Sequence, residues 1–403
     1  MGNMAGTATS IASVSESNRS RIMHHLYQHG VSSRAQIAKA LELTPAAITK
    51  ITAKLLDAGV IEETGDLEGS KNRRSIGLKL DKNAFHVIAV KFARSLVQIG
   101  VFDLAGTPLT VRDLPQITED TISETVNLLH AIINDMIHAD SAIVAVGMAV
   151  PGPYLRHIGR TAVVSSMRGW QRVNFLDEFG GAFPVPVFVE QDARAGAFAQ
   201  YLFDPSVADD GLAYYLIGEG VGLGVIDHGS MINGAMGAAT EIGHVSIDIH
   251  GKPCECGNVG CLERYCSTPA IHEMIVNEGD LIDNASQLTH TQAARTLFAM
   301  AKHGNERAIQ LVRQVGQYIG FGCVTIFNAF NPAQIVIGDI VSEAGPLLLD
   351  EVKTVVNQHV IPELNEATTI TLSELPADAA LGGGAAVAIN QFLEHPSMFF
   401  ELT

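Results

Sequence analysis

Along the first eighty residues the apolar positions recur at helical spacing. From Asn18, residues Ile22, Met23, Leu26 and Tyr27 fall on one face, and Gly30 closes that helix. Ser33 is placed to cap a second helix, Arg34–Leu41, whose Ile37, Ala38 and Leu41 form its inward stripe. After a short turn at Glu42-Leu43, Thr44-Pro45 starts a third helix with an N-cap and a proline at the position that tolerates it best. Ile48, Ile51, Leu55 and Leu56 turn inward, leaving Ala46, Ala47, Thr49, Lys50 and Lys54 outside, and Gly59 ends the helix. Val60–Glu63 and Ile76–Leu80 then alternate as strands, with Lys71, Arg73 and Arg74 in the loop between them.

Past residue 81 the pattern changes class. His86–Val90 and Val97–Phe102 read as a hairpin around Arg94-Ser95, and Ser123–Ala139 as an amphipathic helix. Ala142–Val150 is a buried strand ending in Pro151-Gly152-Pro153, and Val185–Val189 is another, leading to Glu190-Gln191-Asp192. Ala193–Tyr201 reads as a helix, and Tyr214–Ile217 and Leu223–Ile226 as strands flanking the glycine run 218–224. Pro269–Phe327 is largely helical, followed by strand Gln334–Gly338 and a final helix opening at Leu381-Gly-Gly-Gly384. Alternating strands and helices predict an α/β architecture.

Two helices joined by a tight turn, the second with a small, polar and basic outer face, then two strands with a basic tip, predict a winged helix-turn-helix over residues 16–80. Thr44, Ala46, Thr49 and Lys50 are the expected major-groove residues, and Arg73 and Arg74 the expected contacts to DNA backbone or minor groove. The competing reading is a small helical protein-interaction domain. Charge favours DNA. The chain carries −17 overall, yet residues 16–80 hold 10 basic and 7 acidic residues, +3, which leaves −20 on residues 81–403. Residues 1–15 are small and polar and read as a mobile tail.

The densest chemistry lies at Glu241-Ile-Gly-His244 and Cys254-Glu-Cys256-Gly-Asn-Val-Gly-Cys261-Leu-Glu263. One imidazole and three thiolates match a closed tetrahedral Cys₃His site for one structural Zn²⁺ per chain. Cys254 and Cys256 are too close along an extended segment for good disulfide geometry. Cys266 and Cys323 read as buried apolar residues.

The run Glu-Ile-Gly-His with Cys-x-Cys-Gly-x-x-Gly-Cys-x-Glu resembles the signature of the ROK family, which groups sugar-responsive repressors with sugar kinases; family-like segments flank it from about residue 83 onward. The resemblance implies an actin-like, ribonuclease-H-like body of two lobes with sugar in the cleft. One lobe would span about 81–190 plus the helix 381–397, the other about 191–380. It implies zinc on His244, Cys254, Cys256 and Cys261, and sugar contacts at Asp192, Glu241, His244 and Glu263, with His244 serving both through its two ring nitrogens. Asp192 stands where family kinases place their base, and Gln191 replaces the usual preceding Asn. Ser165, Ser166 and Trp170 are further candidates for the sugar, Trp170 equally for core packing.

On the phosphate side the resemblance fails in three places. Lys91-Phe-Ala-Arg-Ser95 stands for an Asp-x-Gly-Gly-Thr loop, Glu219 occupies a hydroxyl-donor position, and Asp339 interrupts a glycine run. The expectation is therefore a regulator without kinase activity that binds operator DNA as a homodimer or tetramer and senses a sugar or sugar phosphate. The alternatives are an active sugar kinase with a DNA-binding head, and a regulator controlled by a transport or phosphotransfer protein. No apolar run reaches membrane-spanning length, no secretory signal is visible, and thiols required for metal suit the cytoplasm.

Overall fold

The structure is a computed structural model that describes residues 11–67, 75–93, 96–162, 168–207, 211–375 and 379–401. The head consists of α1 (Ile11–His29), β1 (Ser32–Ser33), α2 (Arg34–Leu41), α3 (Pro45–Asp57), β2 (Ile61–Leu67) and β3 (Ser75–Leu80). Both expected caps form. Ser33 Oγ accepts from Gln36 N–H at 3.3 Å while Gln36 Oε1 accepts from Ser33 N–H at 2.8 Å, and Thr44 Oγ1 accepts from Ala47 N–H at 3.3 Å. The short β1 pairs antiparallel with β3, giving the wing the strand order β1-β3-β2.

The first helix begins at Ile11, not at Asn18, so residues 11–15 of the expected tail are helical. Serines alone do not favour that extension. Tertiary contact explains it: the Glu16 carboxylate accepts from Ser397 N–H at 3.0 Å, and Arg19 pairs with Glu16 at 2.9 Å and donates to Ser397 Oγ at 2.8 Å.

The body opens with β4 (His86–Phe92), β5 (Val97–Asp103), β6 (Pro108–Asp113), α4 (Ile122–Ala139), β7 (Ile143–Val150), β8 (Tyr154–Leu155), β9 (Arg160–Thr161), α5 (Phe175–Phe179) and β10 (Val187–Gln191). Its first sheet has the order β10-β7-β4-β5-β6. Next come α6 (Asp192–Phe203), β11 (Leu212–Ile217), β12 (Val221–Asp227) and β13 (Ser230–Met231). Helices α7 (Glu263–Cys266), α8 (Thr268–Asn277), α9 (His290–Lys302) and α10 (Glu306–Phe330) precede β14 (Gln334–Gly338), α11 (Pro346–His359), α12 (Pro362–Ala367), β15 (Thr369–Leu372) and α13 (Ala379–Glu394). The second sheet has the order β13-β12-β11-β14-β15.

Between the sheets run α6, packed on β11 and β12, and α13, packed on β4, β7 and α6. Glycines set how close these layers come. A Cβ on Gly384 would meet Gly147 O at 3.0 Å, and one on Gly383 would meet the Ala195 backbone at 3.0 Å. The run 218–224 proves to be half strand. Gly222 and Gly224 lie within β12, where a Cβ would meet the Cβ atoms of Ala193 and Ala197 at 2.6 and 2.5 Å. Trp170 is fully buried, edge-on to Phe92 at 5.2 Å and stacked near Phe175, so its role is core packing. Cys266 and Cys323 are buried, as the sequence predicts.

The head shares one hydrophobic core with the body. Ile22, Met23, Leu26 and Tyr27 of α1 join Val87, Phe102, Ile389, Phe392 and Leu393 in a single cluster. Leu26→Ala is therefore expected to lose about 2–5 kcal/mol and to loosen head and body together. Urea unfolding followed by the lone Trp170 should shift with head amide exchange; a head that opens at low urea while Trp170 reports a native body would refute this shared core.

Candidate functional site

Strand β10 delivers Gln191 and α6 begins at Asp192, so the strand end and the helix start place both residues at the mouth of the gap between the sheets. A cavity of ≈ 400 Å³ opens there, and Gln191, Asp192, Glu241, His244 and Glu263 all line it. Asp192 Oδ1 accepts from Ala193 N–H at 2.7 Å. Glu263, the first residue of α7, accepts from Val221 N–H at 3.1 Å through Oε2, which fixes the acid against the turn between β11 and β12. Glu241 receives a hydrogen bond from Gln191, while Glu241 Oε1 and Gln191 Oε1 are buried without a partner.

Burial governs the charge state of these acids. It pushes Asp192 up to about 6, with Asp339 and Glu263 adding to the rise while Ala193 N–H and Lys91 oppose it. It pushes Glu241 up to about 7, helped by Asp192 and Glu263 and opposed by the Gln191 hydrogen bond and Arg194.

Lys91, Glu219 and Asp339 line the other side of the same cavity. Asp339 holds φ 67° and ψ −163°, a backbone conformation essentially reserved for glycine and strained for any other residue by ~1–3 kcal/mol. Its carboxylate accepts from Ile340 N–H at 2.6 Å and fills the space beside Gly218. A carboxylate thus occupies a glycine-shaped turn. Of Lys91–Ser95, residues 94 and 95 lie outside the described residues, as do Ser165 and Ser166.

The four predicted metal ligands converge. Their donor atoms lie within 4.8 Å of one another; Cys254 Sγ is 3.7 Å from His244 Nδ1 and Cys256 Sγ is 3.7 Å from Cys261 Sγ. A tetrahedral ion with metal–sulfur bonds of about 2.3 Å sets its sulfurs about 3.8 Å apart, so the Cys256–Cys261 spacing suits two ligands of one ion. Gly260, at φ 71°, permits the fold-back: a Cβ there would lie 1.7 Å from Asp248 O. The cluster borders the cleft through the chain itself. Glu241 O accepts from His244 N–H at 3.2 Å across one turn, and Glu263 follows Cys261 by two residues. His244 turns Nδ1 toward the thiols and also lines the cavity.

Behind the cleft stands a buried ion pair that the sequence reading did not single out. Arg194, wholly inaccessible to solvent, donates to Glu190 at 2.9 Å, to Ile232 O at 2.7 Å and to Asn233 Oδ1. Arg156 donates to the same Glu190. The Glu190-x-x-x-Arg194 spacing across a strand–helix junction was its only local signal. In the head, Thr44, Ala46, Thr49 and Lys50 stand exposed on one side of α3, and Arg34 ties α2 to α3 through Thr52 Oγ1 at 3.2 Å. Arg73 and Arg74 lie outside the described residues.

A winged helix fused to a two-lobed α/β body with a cleft beside a Cys₃His cluster defines the class of protein. Residues 87–391 match the ROK family, and residues 16–75 match the MarR family. The chain belongs to the ROK family. It is 28% identical over 389 residues to the DNA-binding transcriptional dual regulator NagC of Escherichia coli K12, covering 93% of each chain. It is 26% identical to the xylose repressor of Bacillus spizizenii, over 94% of this chain and 97% of that one. The crystal structure of a ROK family transcriptional regulator, a homologue of the E. coli MLC protein, superposes with a TM-score of 0.80 at 27% identity, covering 96% of this chain and 99% of that one.

The raised acids give the cleft a pH signature. Asp192 and Glu241 keep protons in the folded chain that the unfolded chain releases, so their stabilising contribution is full below about pH 4 and is lost as pH rises through about 6 to 7. Asp192→Asn should flatten the fall in stability between pH 4 and 7 and raise the melting temperature at pH 8. Thermal melts of the ligand-free protein across that range test this; a variant that parallels the parent at every pH would show that Asp192 titrates normally.

Proposed function

We propose that the chain is a sugar-responsive transcriptional repressor whose head binds operator DNA and whose cleft holds a sugar or sugar phosphate. The convergence of Gln191, Asp192, Glu241, His244 and Glu263 on one cavity carries the reading. Carboxylates with open lone pairs accept from paired hydroxyls, and Lys91, which lines the same cavity, offers a cation to a phosphate, while the Arg295 guanidinium is held by Glu343 at 2.8 Å. The exposed face of α3, Thr44, Ala46, Thr49 and Lys50, enters the major groove, and Arg73 and Arg74 of the wing meet phosphate or minor groove. One small head binds weakly alone, so the working form is a dimer or tetramer on a palindromic site. Thiolate ligands to a metal suit a reducing cytoplasm.

The same reading makes the cleft a sensor without phosphoryl transfer. Supporting it are Glu219 and Asp339, two carboxylates on the wall where a nucleotide's phosphates would lie, and Asp339 closing a turn that glycine backbone N–H groups would otherwise offer to phosphate. ATP with hexoses and aminosugars should give no turnover above background; turnover lost on Asp192→Asn would instead favour the kinase.

His244, Cys254, Cys256 and Cys261 are assigned one structural Zn²⁺, since four donors leave no position for water or substrate. The ion braces the loop that carries Glu241 and Glu263. Purified protein should contain about one zinc per chain, with binding of roughly 10–16 kcal/mol. Cys256→Ser should lower the melting temperature and raise amide exchange over residues 241–263. A metal-free protein of equal stability sinks the assignment.

Gel shifts with a sugar panel test the two ends of the chain at once. Lys50→Ala should weaken operator binding with or without sugar. Asp192→Asn and Glu263→Gln should leave sugar-free operator binding near normal and abolish the roughly 5–150-fold change that an ordinary coupling produces. If both variants respond like the parent, the signal enters elsewhere, and control by a transport or phosphotransfer protein takes the place of direct sensing.

A further inference from the structure

Arg194 lies in the first turn of α6, directly after the cleft residues Gln191 and Asp192, and among the described residues it is the only buried lysine or arginine. Its guanidinium is shared among three groups. Nε donates to Glu190 Oε1 at 2.9 Å, Nη1 to Ile232 O at 2.7 Å, and Nη2 to Asn233 Oδ1. Glu190 accepts in addition from Arg156 and from Gln191 N–H at 3.0 Å. A buried ion pair adds little stability over packed apolar side chains, because both charges lose their hydration. What a planar fork of donors does supply is geometry, since it holds several acceptors at fixed separations.

Both ends of that fork lead to the cleft. One end is Glu190, immediately before Gln191 and Asp192. The other is Ile232-Asn233, where the segment running to Glu241 begins, and that segment is pinned along its course. Ala239 N–H donates to Asn233 O at 3.2 Å, Thr240 Oγ1 to Leu223 O at 2.5 Å, and Ile242 N–H to Thr240 O at 2.7 Å. Gly237 lies against Arg156, where a Cβ would come within 2.9 Å of the Arg156 Cβ. Thr240 holds φ 68°, which a β-branched residue adopts only under constraint. Gln191 then donates across to Glu241 and closes the circuit.

We propose that Arg194 is a positioning residue for the effector, fixing the separation between Asp192 and Glu241 and thereby setting the affinity of the cleft. The inference rests on the reading of that cleft as the sugar site. Arg194 and Asn233 are not among the residues that line the cleft, so their influence passes through the residues they hold. Binding groups have to be kept within about 0.5 Å of their working geometry by neighbours that are themselves locked, and a wholly buried guanidinium is such a neighbour. Lysine keeps the charge opposite Glu190 but offers one ammonium on a flexible stem in place of the fork.

The test is calorimetric titration of the full-length chain with glucose, xylose, N-acetylglucosamine and the 6-phosphates of the two hexoses. The sugar that binds the parent most tightly is then titrated into three variants. Asn233 is exposed, so Asn233→Ala should keep the parent's melting temperature and sugar-free operator binding while raising the sugar Kd at least threefold. Asn233→Asp, which keeps an oxygen for Nη2, should restore the parent's Kd. Arg194→Lys should raise the Kd at least tenfold; if it fails to fold, the two Asn233 variants decide. The proposal is overturned if Asn233→Ala binds the sugar like the parent, or if sugar affinity falls only together with melting temperature and operator binding, the network then being structural alone. A parent chain that binds none of the five sugars overturns the sensing reading itself, and this inference with it.

Discussion

How closely α13 lies against its neighbours governs the fit of the first sheet, α6 and the head. Gly383 brings it within contact of the α6 backbone, and Gly384 does the same against Gly147 of β7 and Val90 of β4. Any Cβ at Gly147 would sit 2.0 Å from Gly384 O, so the spacing is set by backbone, with no side chain able to yield. Through this seam one helix touches the first sheet, the helix that begins at Asp192, and α1 of the head. Glycine within a helix is unfavourable by roughly 1 kcal/mol relative to alanine, and its presence here is explained by the approach it permits.

The seam makes the head part of the body. Had α1 been tethered by an open linker, motion in the cleft could not reach it. Instead Ile22, Met23, Leu26 and Tyr27 are buried against Phe392 and Leu393, and the ion pair of Glu16 and Arg19 is locked on Ser397. Displacement of α6 therefore meets α13 by backbone contact and α1 by packed side chains, and well-packed layers pass on strain because they have no voids to absorb it. Head and cleft are thus built on the same packed elements.

The capping residues Ser33 and Thr44, the convergence of His244 with three cysteines, and the cleft carboxylates were legible in the sequence because each rests on local spacing or on a long motif. The sequence was silent where partners are remote. Ser32-Ser33 becomes a strand only because β3 lies beside it, and Ile11–Ser15 becomes helical only because Ser397 receives Glu16. Trp170 offered two readings, and Phe92 and Phe175, distant in sequence, decided for the core. The glycine run 218–224 read as a link between two strands, yet Gly222 and Gly224 answer to Ala193 and Ala197 of α6. Glycine marks close approach equally to a ligand and to another helix, and sequence alone does not distinguish them.

Asp339 shows how the two sides of the cleft came to differ. Its backbone keeps a glycine-type conformation, φ 67° and ψ −163°, although the side chain makes that conformation unfavourable. The carboxylate partly offsets the strain by capping Ile340 N–H, the kind of donor that would otherwise be free for an anion. It also raises the proton affinity of Asp192 across the cavity, in the same direction as burial. The residue that fills the glycine-type turn on one wall thereby also raises the proton affinity of the acid on the other, so the two walls of the cleft are coupled electrostatically.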